Sequence, residues 1–155
     1  MRYLTLLLST QLFSLPQEPS VASGSATVTQ DPGILRIEAS DKAILNYQSF
    51  NIGKGEKVQF VQPHSKASVL NRVQGNNPSS ILGQMQGNGR VYLVNPNGVY
   101  FGPDSVVNVG SLIVSTLDIQ DQDFWPQWEE GDSISVHHHT VAVGSSKQVD
   151  GFGTH

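Results

Sequence analysis

From Ala26 onward, apolar and polar residues alternate in short runs that turn residues separate. Leu35 and Ile37 alternate with Arg36 and Glu38, between Pro32-Gly33 and Ser40-Asp41. Val58 and Phe60 alternate with Lys57 and Gln59 after Gly53-Lys54-Gly55, and Val91 and Leu93 alternate with Arg90 and Tyr92 up to Asn95. Val107 and Val109, Leu112 and Val114, then Leu117 and Ile119 continue the period of two. Successive side chains of a strand point to opposite faces. The pattern therefore predicts strands with Leu35, Ile37, Val58, Phe60, Val91, Leu93, Val107 and Val109 buried. Short strands at about 10-residue spacing point to a sandwich, a barrel or a solenoid. No repeat of fixed period is visible, so the pattern alone leaves the three open.

Two stretches break the alternation. Asn77-Pro78 followed by Ile81, Leu82 and Met85 predicts one short helix, with Asn77 as N-cap and Pro78 at the first helical position. It would close at Gly87 or Gly89 and cover a sheet edge. Asn95-Pro96-Asn97-Gly98 predicts a tight turn. Proline presets φ at its second position, glycine suits the fourth, and asparagine side chains bond nearby backbone.

The amino terminus has another character. Met1-Arg2-Tyr3 precedes an apolar run from Leu4 to Leu15, then Pro16. One basic residue and a short apolar core read as an export leader, cut near Ser14 or near Ala22. The run is shorter than the about 20 residues a membrane-spanning helix needs. A buried first element is the alternative. Residues 16–24, rich in Pro and Ser, read as a linker or extended mature terminus.

Composition narrows the function classes. The chain has 155 residues, enough for one domain with a real core. Charged residues are 14% of it, well below the usual quarter, and the net charge is -4. The 9 basic residues are scattered, whereas a nucleic-acid footprint needs them clustered, so no nucleic-acid partner is expected. Cysteine is absent, which agrees with passage through an oxidising compartment without stray disulfides.

Catalysis and metal binding find little support. There is no GxSxG nucleophile elbow, and Asp31, Glu38, Asp41, Glu56 and Asp104 are spread over turns rather than gathered on one face. His137-His138-His139 reads as a solvated stretch, because adjacent strand residues face opposite ways and rarely converge on one ion. Asp121, Asp123, Glu129, Glu130 and Asp132 read as a solvated linker rather than a calcium site. Neither an enzyme nor a cofactor is expected.

The string Asn71-Arg72-Val73, and the segment through Asn95-Pro96-Asn97-Gly98 to Gly102, carry a family resemblance. So do Gly24 to Val28, Lys42 to Gly53, Val58 to Pro63 and Val107 to Ile119, in the same order. The chain resembles the two-partner secretion, or haemagglutination-activity, domain at the amino terminus of large exported adhesins and cytolysins of diderm bacteria. The resemblance implies an all-β, right-handed parallel β-helix with an N-terminal cap, for which the segment from Ala26 to Ile37 is the candidate. It also implies a secretion-targeting module that the periplasmic domains of an outer-membrane transporter recognise after the general secretion machinery has exported it. The destination would be the cell surface or the medium.

The implied organisation is a leader and extended terminus over 1–22, the secretion domain over 24–120 and a divergent, dispensable tail over 121–155. The implied site residues are Asn71, Arg72, Val73, Asn95, Pro96, Asn97 and Gly98. For the turn, a folding role outweighs direct recognition, since its residue types already have local reasons to be there. Arg72 reads as an outward-facing ion-pair or docking residue. The family's Asn-Pro-Asn-Leu motif has no counterpart here beyond Asn77-Pro78, so no role is carried over for it. The remaining readings are a stand-alone carbohydrate- or cell-binding adhesin module and a shortened gene product that has lost its passenger.

Overall fold

The computed structural model describes residues 14–116 and 141–143. Four strands open the chain: β1 (Ser20–Ser23), β2 (Ala26–Asp31), β3 (Ile34–Ala39) and β4 (Ala43–Tyr47). Then come β5 (Lys57–Val61), β6 (Ser68–Val73), β7 (Ser79–Ile81), β8 (Gln84–Gly87) and β9 (Arg90–Val94). β10 (Val99–Phe101), β11 (Val106–Asn108), β12 (Ser111–Ser115) and β13 (Val141–Val143) complete them.

They form three sheets. The first runs β1-β4-β6-β9-β12, the second β11-β8-β5-β3-β2 and the third β13-β10-β7. From β6 the chain visits the first, third and second sheets in turn, and each strand pairs in parallel with its counterpart one coil earlier. This is the expected right-handed parallel β-helix, of about 4 turns. Register partners lie roughly 20–27 residues apart, a period typical of solenoids but uneven enough to hide from simple self-comparison.

The coil interior is a set of apolar ladders. Leu35, Val58, Met85 and Val107 stack rung on rung in the second sheet, all buried. Ala43, Val69, Val91 and Leu112 do so in the first. All eight residues predicted to be buried are buried. The first sheet is also covered on its outer side, where Ile44, Leu70, Tyr92 and Ile113 form a second apolar ladder. That explains the near-continuous apolar runs of β4, β9 and β12, which a sheet buried on both faces requires.

The amino-terminal end is capped by reversal of strand direction. β2 runs antiparallel to β3, and β1 antiparallel to β4 with a register irregularity between Val21 and Ser23. The cap thus includes the segment expected from sequence and reaches back through β1 into the stretch read as a linker. β13, inside the stretch read as a divergent tail, pairs in parallel with β10.

The expected helix does not form, and the described residues contain none. Ile81 ends β7 and Met85 lies in β8, both fully buried. The amide N–H groups of Leu82 and Gly83 donate to the Ile52 carbonyl (2.7 and 3.1 Å), and that of Gln84 to the Glu56 carbonyl (2.9 Å). With those donors claimed by the previous coil, no i to i−4 ladder can grow. Two inward strand residues either side of a corner reproduced helical spacing by coincidence.

Candidate functional site

The two sequence motifs lie apart in the chain, and the fold brings them to one corner. Asn71-Arg72-Val73 ends β6, and Asn95-Pro96-Asn97-Gly98 follows β9, one coil later. Arg72 is the register partner of Val94, so the turn begins one residue past that rung. This is the corner where the chain leaves the first sheet for the third. Asn97 ties the coils together directly, its side-chain Nδ2 donating to the Gly75 carbonyl at 2.8 Å.

Asn71 points into the solenoid. It occupies a rung between Leu45 and Leu93, in a ladder continued by Val114, and has no exposed surface. An unpaired amide there would be costly. Its Oδ1 accepts from the Tyr47 hydroxyl at 2.7 Å, and its Nδ2 donates to the Tyr92 carbonyl at 3.1 Å. Tyr47 belongs to the coil before and Tyr92 to the coil after, so one side chain fastens three coils. Burial pushes the Tyr47 phenol well above its ordinary range, which keeps it a donor. Its ring also stands edge-on to Phe50, with centroids 5.1 Å apart.

Arg72 and Val73 take opposite faces, as neighbours in a strand must. Val73 packs in the inner core, and Arg72 is half-buried on the outer side of the sheet, the side that also carries Leu70.

The turn divides into a hidden frame and a visible tip. Asn95 is fully buried. Its Nδ2 donates to the Asn77 carbonyl and to Ser79 Oγ, both at 3.0 Å, reaching the preceding coil. Its backbone N–H donates to the Ser115 carbonyl of the following coil at 3.0 Å. Its Oδ1 accepts from the Asn97 backbone N–H at 2.9 Å, the expected local asparagine bond. The Gly98 N–H donates to the Asn95 carbonyl at 3.0 Å and closes the turn. Gly98 has φ 110, which side-chain-bearing residues rarely adopt. Pro96 and Asn97 alone are exposed.

Among the described residues no three His, Cys, Asp or Glu side chains gather closely enough to hold a metal ion. The histidine run at 137–139 and the acidic run at 121–132 lie outside the described residues.

Sequence reasoning missed two features. Tyr47 is the hydrogen-bond partner of Asn71, but only the stacking of coils reveals it. Glu56, read as a scattered turn carboxylate, is 7% exposed and held by three donors.

Comparison with known proteins fits this geometry. The family model of the TPS secretion domain matches residues 13–154. The crystal structure of the HMW1 secretion domain from Haemophilus influenzae superposes with a TM-score of 0.70 at 33% identity, covering 84% of this chain and 37% of that one. A heme/hemopexin-binding protein of Haemophilus influenzae is 39% identical over 108 residues, and a second, from strain Rd, is 37% identical over 107. The chain spans only 12% of the length of either relative, and 68% of this chain is aligned. This is not an enzyme family, and its members engage an outer-membrane transporter of the two-partner type. The chain belongs to the TPS secretion domain family, the targeting modules of proteins exported by two-partner secretion.

Proposed function

We propose that this domain directs a large exported protein to its transporter in two stages. The apolar run near the amino terminus sends the chain through the general secretion machinery of the inner membrane. The periplasmic domains of the outer-membrane transporter then read the still-extended chain, and the solenoid forms at the cell surface. The convergence of Asn71-Arg72-Val73 and Asn95-Pro96-Asn97-Gly98 on one corner is the observation that carries this reading. Four of those seven residues (Asn71, Val73, Asn95 and Gly98) are buried, and their side chains or backbone serve coil closure. The motif thus acts chiefly as a folding element.

An extended segment can add to a sheet edge of the transporter by main-chain pairing. Once β6 lies between β4 and β9, both of its edges are occupied and it can no longer pair elsewhere. Folding outside therefore makes the transfer one-way, as each finished coil offers an edge to the next. The ligand in the relatives' names belongs to proteins of which this chain spans 12%, and it is not assigned to this domain.

The test is co-expression with the cognate transporter, following the chain into the medium. Secretion should need the transporter, and secretion without it would sink the targeting role.

A further inference from the structure

One edge of β4 carries a strand that fits it poorly. β4 is a regular strand of 5 residues, four of them buried, and on one side it pairs in register with β6 over its whole length. On the other side lies β1, 4 residues long and exposed throughout. β1 runs antiparallel in a sheet that is otherwise parallel, and only Ser20, Val21 and Ser23 find partners, with a register shift between Val21 and Ser23. Val21 leaves 45% of its surface in water. Asn46 stands opposite Ser20, and its side-chain oxygen is buried without accepting a hydrogen bond from any described residue. A buried acceptor without a donor is costly.

The chain ahead of β1 is held better. Leu15 has no exposed surface and joins the inner core that holds Tyr47 and Phe50. The Gln17 N–H donates to the Ser49 carbonyl at 2.9 Å, and the Gln17 carbonyl accepts from the Gln48 N–H at 3.0 Å. The Ser14 N–H and hydroxyl donate to the Glu56 carboxylate at 3.2 and 2.9 Å. β1 is thus tethered a few residues from an edge that it grips weakly, and a tethered competitor works at high effective concentration.

We propose that this edge of β4 is where an edge strand of the transporter's periplasmic domains pairs, and that β1 is the placeholder that reclaims it on release. The proposal rests on the export reading above and names the strand at which it acts. β6 and β9 have both edges taken within the first sheet, whereas β4 can lose β1 and still keep β6 and its two packed faces. The bared edge is a row of backbone N–H and C=O groups, a template for strand addition. An entering strand with a long donor side chain opposite Asn46 satisfies the oxygen that Ser20 leaves without a donor. β1 can pair only once β4 is in place, so the edge stays open until the first coil has formed.

The experiment is site-specific photo-crosslinking in cells that make the full chain and its transporter. The photoreactive side chain is placed at Gln48, exposed just beyond β4, or at Lys54, exposed at the next corner. Gln48 should give an adduct with the transporter's periplasmic domains, and Lys54 should not. Val21→Pro removes an N–H and disfavours the strand at β1, so it should raise the Gln48 adduct several-fold. Ser20→Cys with Asn46→Cys, in a chain with no other cysteine, fixes β1 on β4 and should abolish the adduct until reductant is added. No adduct at Gln48, equal adducts at both positions, or a yield unchanged by the disulfide or by a folded Val21→Pro overturns the strand exchange. The export reading then stands as long as secretion needs the transporter. Secretion from cells lacking the transporter overturns both. Should Val21→Pro not fold, the disulfide pair decides alone.

Discussion

Asn71 sits in mid-strand with leucines on the rungs either side of it, whereas Asn95 sits where the next coil's strand ends. Both are sealed from water and both bond to neighbouring coils. Asn71 does so across the sheet interior, through side chains that also fill the core. Asn95 does so at the perimeter, where it fixes the direction in which the chain leaves the sheet. A polar residue inside a solenoid is therefore tolerated in two ways: as a rung whose bonds are shared up and down the stack, or as the frame of a corner. The difference predicts unequal penalties when each is broken.

The largest effect should follow Asn71→Ala. It strands the Tyr47 hydroxyl and the Tyr92 carbonyl without water and leaves a hole between Leu45 and Leu93. At about 1–3 kcal/mol per unsatisfied group, a loss of about 3–4 kcal/mol is expected, measured by denaturant unfolding. A loss below that of Asn95→Ala would reverse the comparison. Gly98→Val comes next, at about 2 kcal/mol, because a β-branched residue is strained at φ 110. Secretion should fall in parallel with melting temperature. If Gly98→Val keeps full stability but loses transporter binding, the corner is a recognition element first.

A smaller effect depends on pH. The Tyr47 phenol is raised above its unfolded value by burial, so its contribution is fully present at neutral pH and fades only in alkali. Above about pH 10 the unfolded chain ionises there while the folded chain does not. The natural protein should then lose about 1.4 kcal/mol per pH unit relative to Tyr47→Phe. Parallel stability curves between pH 9 and 11 would refute this. The smallest effect belongs to the tip. Asn97→Ala removes the bond to Gly75 and one to Asn95 Oδ1 at an exposed site, costing about 1 kcal/mol or less. A large secretion defect in this variant, at near-normal stability, would give the tip a contact with the transporter.

The sequence made the alternating strands readable because Leu35, Ile37, Val58 and Phe60 each obey a period of two. What it hid were relations between coils. Asn71 looks like a surface polar residue until the stacked coils bring the Tyr47 hydroxyl and the Tyr92 carbonyl within its reach. Tyr92, in a strand that seemed to alternate simply, is buried on the outer side of its sheet. Ile81 and Met85 mimicked a helix because a corner between two short strands can span the same four residues as a helical turn. Leu15 was absorbed into an apolar leader run, since burial in a core and insertion in a membrane select the same side chain. The residues named for the site lie on adjacent coils, at one corner and on the strand that leads into the corner one coil earlier, but the division between buried frame and exposed tip needed coordinates.

The reversed strands at the amino-terminal end have a consequence for crowding. A molecule made of stacked parallel coils carries the means of its own polymerisation, because the last coil of one copy resembles the template that the first coil of another requires. Head-to-tail joining of that kind does not close and runs on into fibres. β1 and β2 point against the coil direction in two of the three sheets, and β1 is only 4 residues long, with a register irregularity. An arriving parallel edge finds no continuous register to extend. Short and irregular edge strands are a recognised defence against edge-to-edge aggregation. The reversed strands thus guard the amino-terminal end of the stack against such joining.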